Sequence, residues 1–279
     1  MKASDIPSAA AITVLYLFGV SAVAGFATFG LHPELLAAAG PSAARFYSRA
    51  FGFFGQGQVA LAGAVLFLIL LRAVGFRWLP AFATAYAISL ASELAGTTWG
   101  IPFGEYGYTA LLGPRWLERV PALIPLSWFT MALPAYALAH HRWPDQPGRA
   151  VLLGSFILLI WDVSLDPAMS YATSYWWWGH EGAFYGMPAL NLLGWYVTGL
   201  AIMAAFAGLR VERWVHRVSL RTHALYYGAN LLVPLGMCVA AGLWGAVLIS
   251  VALLAAVGHQ LAASAPARAA APRLVPVVG

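Results

Sequence analysis

Two aspartates, Asp162 and Asp166, lie four residues apart in the run IWDVSLDPAMS, at the end of a stretch apolar enough to sit in lipid. Ionised carboxylates are costly at membrane depth, so acids found there mark proton relays, ligand sites or tightly paired structural groups. Positions i and i+4 share one helix face, so the two acids look the same way if the helix continues. Pro167 removes a backbone donor, crowds the carbonyl of Val163 and biases Asp166 out of helix. The helix is therefore expected to end or kink at Asp166 and to leave freed backbone groups around a cavity. A third acid, Glu93, sits in ISLASELAGTTWG among small residues that permit close helix approach. Two carboxyls in one low-dielectric pocket, one neutral and one ionised, would supply an acid and a base at neutral pH. The plainer alternative makes Asp166 a loop cap, pairs Asp162 with a structural partner and gives Glu93 a helix–helix hydrogen bond.

Aromatic residues crowd the segments that follow these acids. Trp99, Phe103, Tyr106, Tyr108 and Trp116 follow Glu93; Tyr171, Tyr175, Trp176, Trp177, Trp178, Phe184 and Tyr185 follow Asp166. Rings at a membrane interface form a belt. YWWWGHEGAFYG is denser than a belt needs, and aromatic faces also stabilise cations and line apolar ligand sites. The loop groups Glu105, His180 and Glu181 suit solvent. The stretches ELAGTTWGIPFGEYGY and DPAMSYATSYWWWGHEGAFYGMP share an order of acid, Trp and Phe/Tyr-Gly, as a diverged duplication or chance would give.

The elements that must position these groups are membrane spans. Of 279 residues, 61% are hydrophobic and 9% charged, against about 25% charged in soluble domains. An all-α polytopic bundle of eight spans is expected, at roughly 10–30, 52–72, 78–97, 121–139, 150–170, 189–209, 224–241 and 243–259, each about bilayer length. Residues 1–260 would form one transmembrane domain, and the Ala/Pro-rich 261–279 a disordered tail. No cleavable signal peptide is expected. Eleven basic residues fall on the face holding the termini: Lys2, Arg72, Arg77, Arg142, Arg149, Arg210, Arg213, Arg217, Arg221, Arg268 and Arg273. Arg45, Arg49, Arg115 and Arg119 fall on the other, so both termini are expected in the cytoplasm of a multi-pass cell-membrane protein. That topology brings Glu93, Asp162, Asp166, Asn191 and both aromatic segments to the non-cytoplasmic half.

The net charge of +5 follows from this arginine asymmetry rather than from nucleic-acid binding. Lys2 is the only lysine, which excludes an intramembrane Schiff base. Cys238 stands alone, so no disulfide forms within the chain. The seven histidines lie mostly at span ends or in loops, unlike facing haem ligands. No Gly-rich phosphate cradle with lysine is present.

Four stretches carry a resemblance to a known family: ELAGTTWGIPFGEYGY, PALIPLSW, WDVSLDPAM and YGMPALNLLGW. Together, over roughly residues 85–200, they resemble the CruF-type carotenoid 1′,2′-hydratases, which include the archaeal bisanhydrobacterioruberin hydratases. Phe184-Tyr185-Gly186 departs from the family's Tyr-Phe-Gly before its proline. The resemblance implies a hydro-lyase of carotenoid biosynthesis that adds water to the terminal double bond of an acyclic end group, lycopene-like or γ-carotene-like, giving a tertiary alcohol. It implies no cofactor and no metal. The substrate would come from the lipid bilayer, other carotenoid-pathway enzymes would be partners, and nucleic acid would not. Carried over as catalytic positions are Glu93, Asp162 and Asp166. The substrate-binding candidates are Trp99, Phe103, Tyr106, Tyr108, Trp161, Trp177, Tyr185, Asn191 and Trp195.

Alkene hydration suits these residue types. A neutral carboxyl protonates the less substituted carbon, anionic or π groups stabilise the tertiary cation, and a second carboxylate takes a proton from the attacking water. Asp166 or Glu93 is expected as the acid and Asp162 as the ionised partner. The aromatic loops are expected to fold over the acids, with a lateral slot to lipid. Two rivals remain. A polyprenyl transferase of the lycopene elongase type would need more acids for its metal and basic residues for diphosphate. A polyisoprenoid carrier or transporter would use the acids as a proton relay.

Overall fold

Prolines open the helices and glycines close them. Pro33, Pro41, Pro80 and Pro147 stand in the first turns of four helices, where a missing backbone donor costs nothing. Gly75 and Gly100, at positive φ, terminate two of them. In a computed structural model, which describes residues 6–262, this punctuation yields α1 (Ile6–Gly25), α2 (Pro33–Ala38), α3 (Pro41–Val74), α4 (Leu79–Trp99), α5 (Leu123–Arg142), α6 (Pro147–Asp166), α7 (Ala189–Gly208), α8 (Glu212–Val215), α9 (Leu220–Ala240) and α10 (Trp244–Ala262). π-helical turns, Phe26–Gly30 and Pro167–Tyr171, extend α1 and α6.

The protein is an all-α polytopic membrane bundle. Six stretches of the described residues are long and apolar enough to cross a membrane, and one of them, Pro41–Trp99, contains both α3 and α4. α5 is not among them, and its surroundings explain why. It is buried along most of its length and packs against α3, α4, α6, α7, α9 and α10. A helix walled off from lipid by its neighbours can carry Ser127, Thr130 and Tyr136 without a desolvation penalty at a lipid face. α3 departs from expectation in the other direction. Its 34 residues rise about 51 Å, well beyond a hydrocarbon core of about 30 Å, and its first turns are largely exposed. α10 continues through Ala262; the remainder of the expected tail, with Arg268 and Arg273, and Lys2 near the other terminus lie outside the described residues.

Four short strands were not foreseen: β1 (Tyr106–Tyr108), β2 (Arg115–Trp116), β3 (Val120–Pro121) and β4 (Trp176–Trp178). β1 pairs antiparallel with β4, with Tyr106 opposite Trp178 and Tyr108 opposite Trp176; β2 pairs with β3. The β1–β4 ribbon ties the segment after α4 to the segment after α6. α7 accepts the intervening chain closely, because any side chain at Gly194 would strike the Pro102 backbone and the Phe103 ring.

Buried hydroxyls fasten the helices to one another. Tyr226 of α9 donates to the Ala62 carbonyl of α3 at 2.8 Å, and its neighbour Tyr227 donates to the Ile157 carbonyl of α6 at 2.7 Å. Ser92 and Thr198 join α4 to α7 at 2.7 Å. Within a bundle such bonds contribute about 0.6–2 kcal/mol each. Tyr226→Phe and Tyr227→Phe are each expected to lower stability by that amount, and together by about the sum, since they reach different helices. Thermal melts of the detergent-solubilised variants check this; a double variant that melts with the unmodified protein would show that packing alone holds α9.

Candidate functional site

Glu93, Asp162 and Asp166 line one cavity of ≈ 270 Å³. Each is almost wholly buried, at 3%, 0% and 2% exposure. Buried carboxyls need donors, and the surrounding elements deliver them unequally.

Glu93, near the C-terminal end of α4, receives three. The Tyr106 and Tyr108 hydroxyls donate to its Oε2 at 2.5 and 2.7 Å, and Trp128 Nε1 of α5 donates to its Oε1 at 2.9 Å. Tyr106 and Tyr108 flank Gly107 in β1 and so project to one face, where both phenols reach one oxygen. Burial pushes these two phenols well above their ordinary range, and Glu93 beside them pushes them further, so both stay protonated donors.

Asp166 ends α6 and receives four. Ser170 in the π turn donates to Oδ1 at 2.7 Å, Trp178 Nε1 at 3.0 Å and Trp176 Nε1 at 3.4 Å, while Asn191 Nδ2 reaches Oδ2 at 3.1 Å. Side chains alternate along a strand, so Trp176 and Trp178 face the acid together and Trp177 points away. The aromatic loops thus roof the acids.

Asp162, one helical turn earlier, receives one. Asn191 Nδ2 donates to its Oδ2 at 2.9 Å, so a single amide serves both aspartates; the same nitrogen is 3.0 Å from Met187 Sδ. Asp162 Oδ1 is buried and has no partner among the described residues. Trp161 Nε1 is in the same condition. Beside these acids Trp128 and Trp195 stack at 4.0 Å, and Trp161 meets Trp195 edge-on at 5.8 Å.

Among the substrate-binding candidates, the structure brings Phe103, Tyr106, Tyr108, Trp161, Asn191 and Trp195 to the cavity wall. Three others lie elsewhere. Trp99 is 75% exposed at the end of α4, where Gly100 turns the chain back without it. Trp177 is 52% exposed on the outer face of β4. Tyr185 accepts from the Gly245 backbone at 2.9 Å and packs on Tyr171 and Phe184, a contact that holds the loop to α10. Glu105 and His180 form an exposed pair at 3.4 Å. Sequence reasoning passed over Trp128, Ser170, Trp176 and Trp178 as site residues. The signal for the last two was the three consecutive tryptophans themselves, which can only split two-to-one between the faces of a strand. It also passed over the π turn after α1, together with α3 and α9, whose Phe26, Tyr47, Phe51, Gln58, Asn230 and Met237 complete the wall. Among the described residues no three His, Cys, Asp or Glu side chains gather as a metal site would require.

The arrangement offers a free carboxyl oxygen, two carboxyls that each meet three or four donors and a face of indoles in a largely apolar chamber. It can transfer a proton to an apolar molecule and stabilise the resulting cation. Comparison with known proteins gives this chemistry a setting. The chain is 31% identical over 181 residues to the bisanhydrobacterioruberin hydratase of Haloarcula japonica, an alignment covering 61% of this chain and 58% of that protein. The chain thus matches less than two thirds of the length of that relative. No solved structure matches. The model of a family described as carotenoid biosynthesis protein matches residues 54–257, which include Glu93, Asp162, Asp166 and Asn191. A match over most of its length shows that this chain belongs to the carotenoid biosynthesis protein family.

Proposed function

We propose that this protein hydrates the terminal 1′,2′ double bond of an acyclic carotenoid end group, of the lycopene or γ-carotene type, to a tertiary alcohol. The observation that carries this reading is the unequal supply of donors to three buried carboxyls around one apolar cavity. A carboxylate offers about four acceptor positions, and Asp166 meets four donors. It serves as the fixed anion that balances the cation. Asp162, with Oδ1 unengaged, is the group able to present a proton to the alkene. This reverses the roles expected from the sequence, where Asp162 was the ionised partner.

The steps balance without a cofactor. Asp162 Oδ1–H adds its proton to the less substituted alkene carbon. The tertiary cation lies between Asp166 and the indoles of Trp161 and Trp195. Water forms the C–O bond and gives up one proton to the Asp162 carboxylate, which restores the acid. Glu93 fixes Tyr106, Tyr108 and Trp128 as the wall against which the end group rests. The cavity is smaller than the about 300 Å³ of a drug-sized pocket, which fits an end group rather than a whole carotenoid. The polyene then leaves past Phe26, Phe29, Phe46, Phe51 and Phe54, between α1 and α3, into lipid; Phe46 is 75% and Phe29 40% exposed. The protein acts in the cell membrane with both termini cytoplasmic, a placement checked by labelling of single cysteines introduced in the 72–78 and 98–120 loops.

Expression in a lycopene-producing host, with pigment chromatography and mass analysis, tests the activity. Hydration adds one water; a prenyl transferase would add an isoprenoid unit, and a carrier would leave every mass unchanged. Asp162→Asn is expected to lower hydration by about 10²–10⁴-fold, the usual contribution of general acid–base catalysis. Asp166→Asn and Glu93→Gln should cost less, because each keeps part of its hydrogen-bond net. An Asp162→Asn protein that still converts at more than a tenth of the normal rate would remove Asp162 as the acid. The strand alternation gives a separate check: Trp178→Phe should impair conversion about tenfold or more, since a charge-assisted donor is lost, while Trp177→Phe should leave it within about twofold. Equal effects would mean that the ribbon does not distinguish its two faces.

A further inference from the structure

Four side chains on the cavity wall carry buried polar atoms with no hydrogen-bond partner among the described residues: Tyr47 at its hydroxyl, Gln58 at both amide atoms, Trp161 at Nε1 and Asp162 at Oδ1. Trp161 and Asp162 belong to the chemistry above. Tyr47 stands among the rings of the lipid-side opening, close to Phe29 and Phe51. Gln58 is unaccounted for. Both heteroatoms of its amide are buried without a partner, on a helix that contributes no carboxyl. Gln56, two residues earlier, shows the ordinary arrangement, with Nε2 donating to the Leu111 carbonyl at 3.0 Å. An unpaired buried amide weakens a fold, and Leu or Met would fill the same space without that cost.

Hydration requires water inside a largely apolar chamber, and a buried water needs about two to four polar partners. The Ser and Thr hydroxyls and the Asn amide nitrogens on the wall already donate elsewhere. Ser127 and Thr130 donate to backbone carbonyls of their own helix, and Asn230 donates to the Tyr226 carbonyl. Tyr47 lies on the same face of α3 as Gln58 but about 16 Å away along the axis, too far to share one water. The Gln58 amide offers an uncommitted acceptor and uncommitted donors together.

Resting on the proposed hydration, we propose that Gln58 is a positioning residue for the second substrate: its amide holds the water that adds to the carotenoid cation. Gln58 Oε1 accepts one water hydrogen, the other faces a carboxylate, and the oxygen lone pair is left for carbon. The oxygen–carbon bond forms, the carboxylate takes the released proton, and Gln58 is unchanged.

The test uses purified full-length protein and lycopene in buffered D₂O. Gln58→Leu is expected to bind pigment normally, to melt at or above the temperature of the unmodified protein, and to hydrate at least tenfold more slowly. Protonation by Asp162 does not need Gln58, so the alkene recovered from this variant should still gain deuterium as the cation forms and collapses. Gln58→Asn, which keeps a shorter amide, should recover part of the hydration. Hydration by Gln58→Leu within twofold of normal would overturn the proposal. So would a lower melting temperature with loss of bound pigment in both variants, which would make Gln58 a packing residue. If the unmodified protein adds no water, the hydratase reading itself fails; if it does and Gln58→Leu does too, only the role of Gln58 falls.

Discussion

Three carboxyl groups buried among apolar side chains set the terms for everything around them. Each must be met by donors or left as a reactive oxygen, and the protein does both. Glu93 recruits a strand and a neighbouring helix; Asp166 recruits a π turn, a second strand and α7; Asp162 is left half-supplied. The β1–β4 ribbon exists where it does because the donors of two acids on different helices come from its two strands. Asn191 links the last pair, so rotation of α7 would remove a donor from both aspartates at once and leave Asp162 with none.

The bundle provides the dry surroundings that make such supply decisive. α5 forms its centre, and the polar residues that helix carries are sheltered by six neighbours. Tyrosine hydroxyls then pin α9 to α3 and α6. The site is consequently built between rigid helices, with only its roof drawn from loop segments.

Much of this was legible in the sequence. The all-α membrane class followed from composition, and the clustering of acids and aromatics at one end followed from counting spans. Pro167 after Asp166 announced the end of α6, and the structure ends the α-helix there and continues as a π turn. What stayed hidden depended on pairing between distant segments. Trp178 and Tyr106 oppose one another across 72 positions of sequence, and nothing local in either loop specifies the other. Periodicity did not mark α5 as central, since a helix surrounded by helices needs no apolar stripe. Nor did any motif indicate that Gln58 and Tyr47 would reach the cavity, because their significance lies in lacking neighbours to bond with.

The ribbon also determines where this chain tolerates change over evolutionary time. One residue inserted just before β1 would turn Tyr106 and Tyr108 away from Glu93, and one just before β4 would present Trp177 to Asp166 instead of its neighbours. The spacing of these two surface segments is therefore as constrained as that of a buried helix, although surface segments ordinarily vary in length. The turn 117–119, between β2 and β3, sets no ring against an acid. Lineages with longer or shorter versions of this protein should differ there, and keep the acid-to-tryptophan intervals fixed.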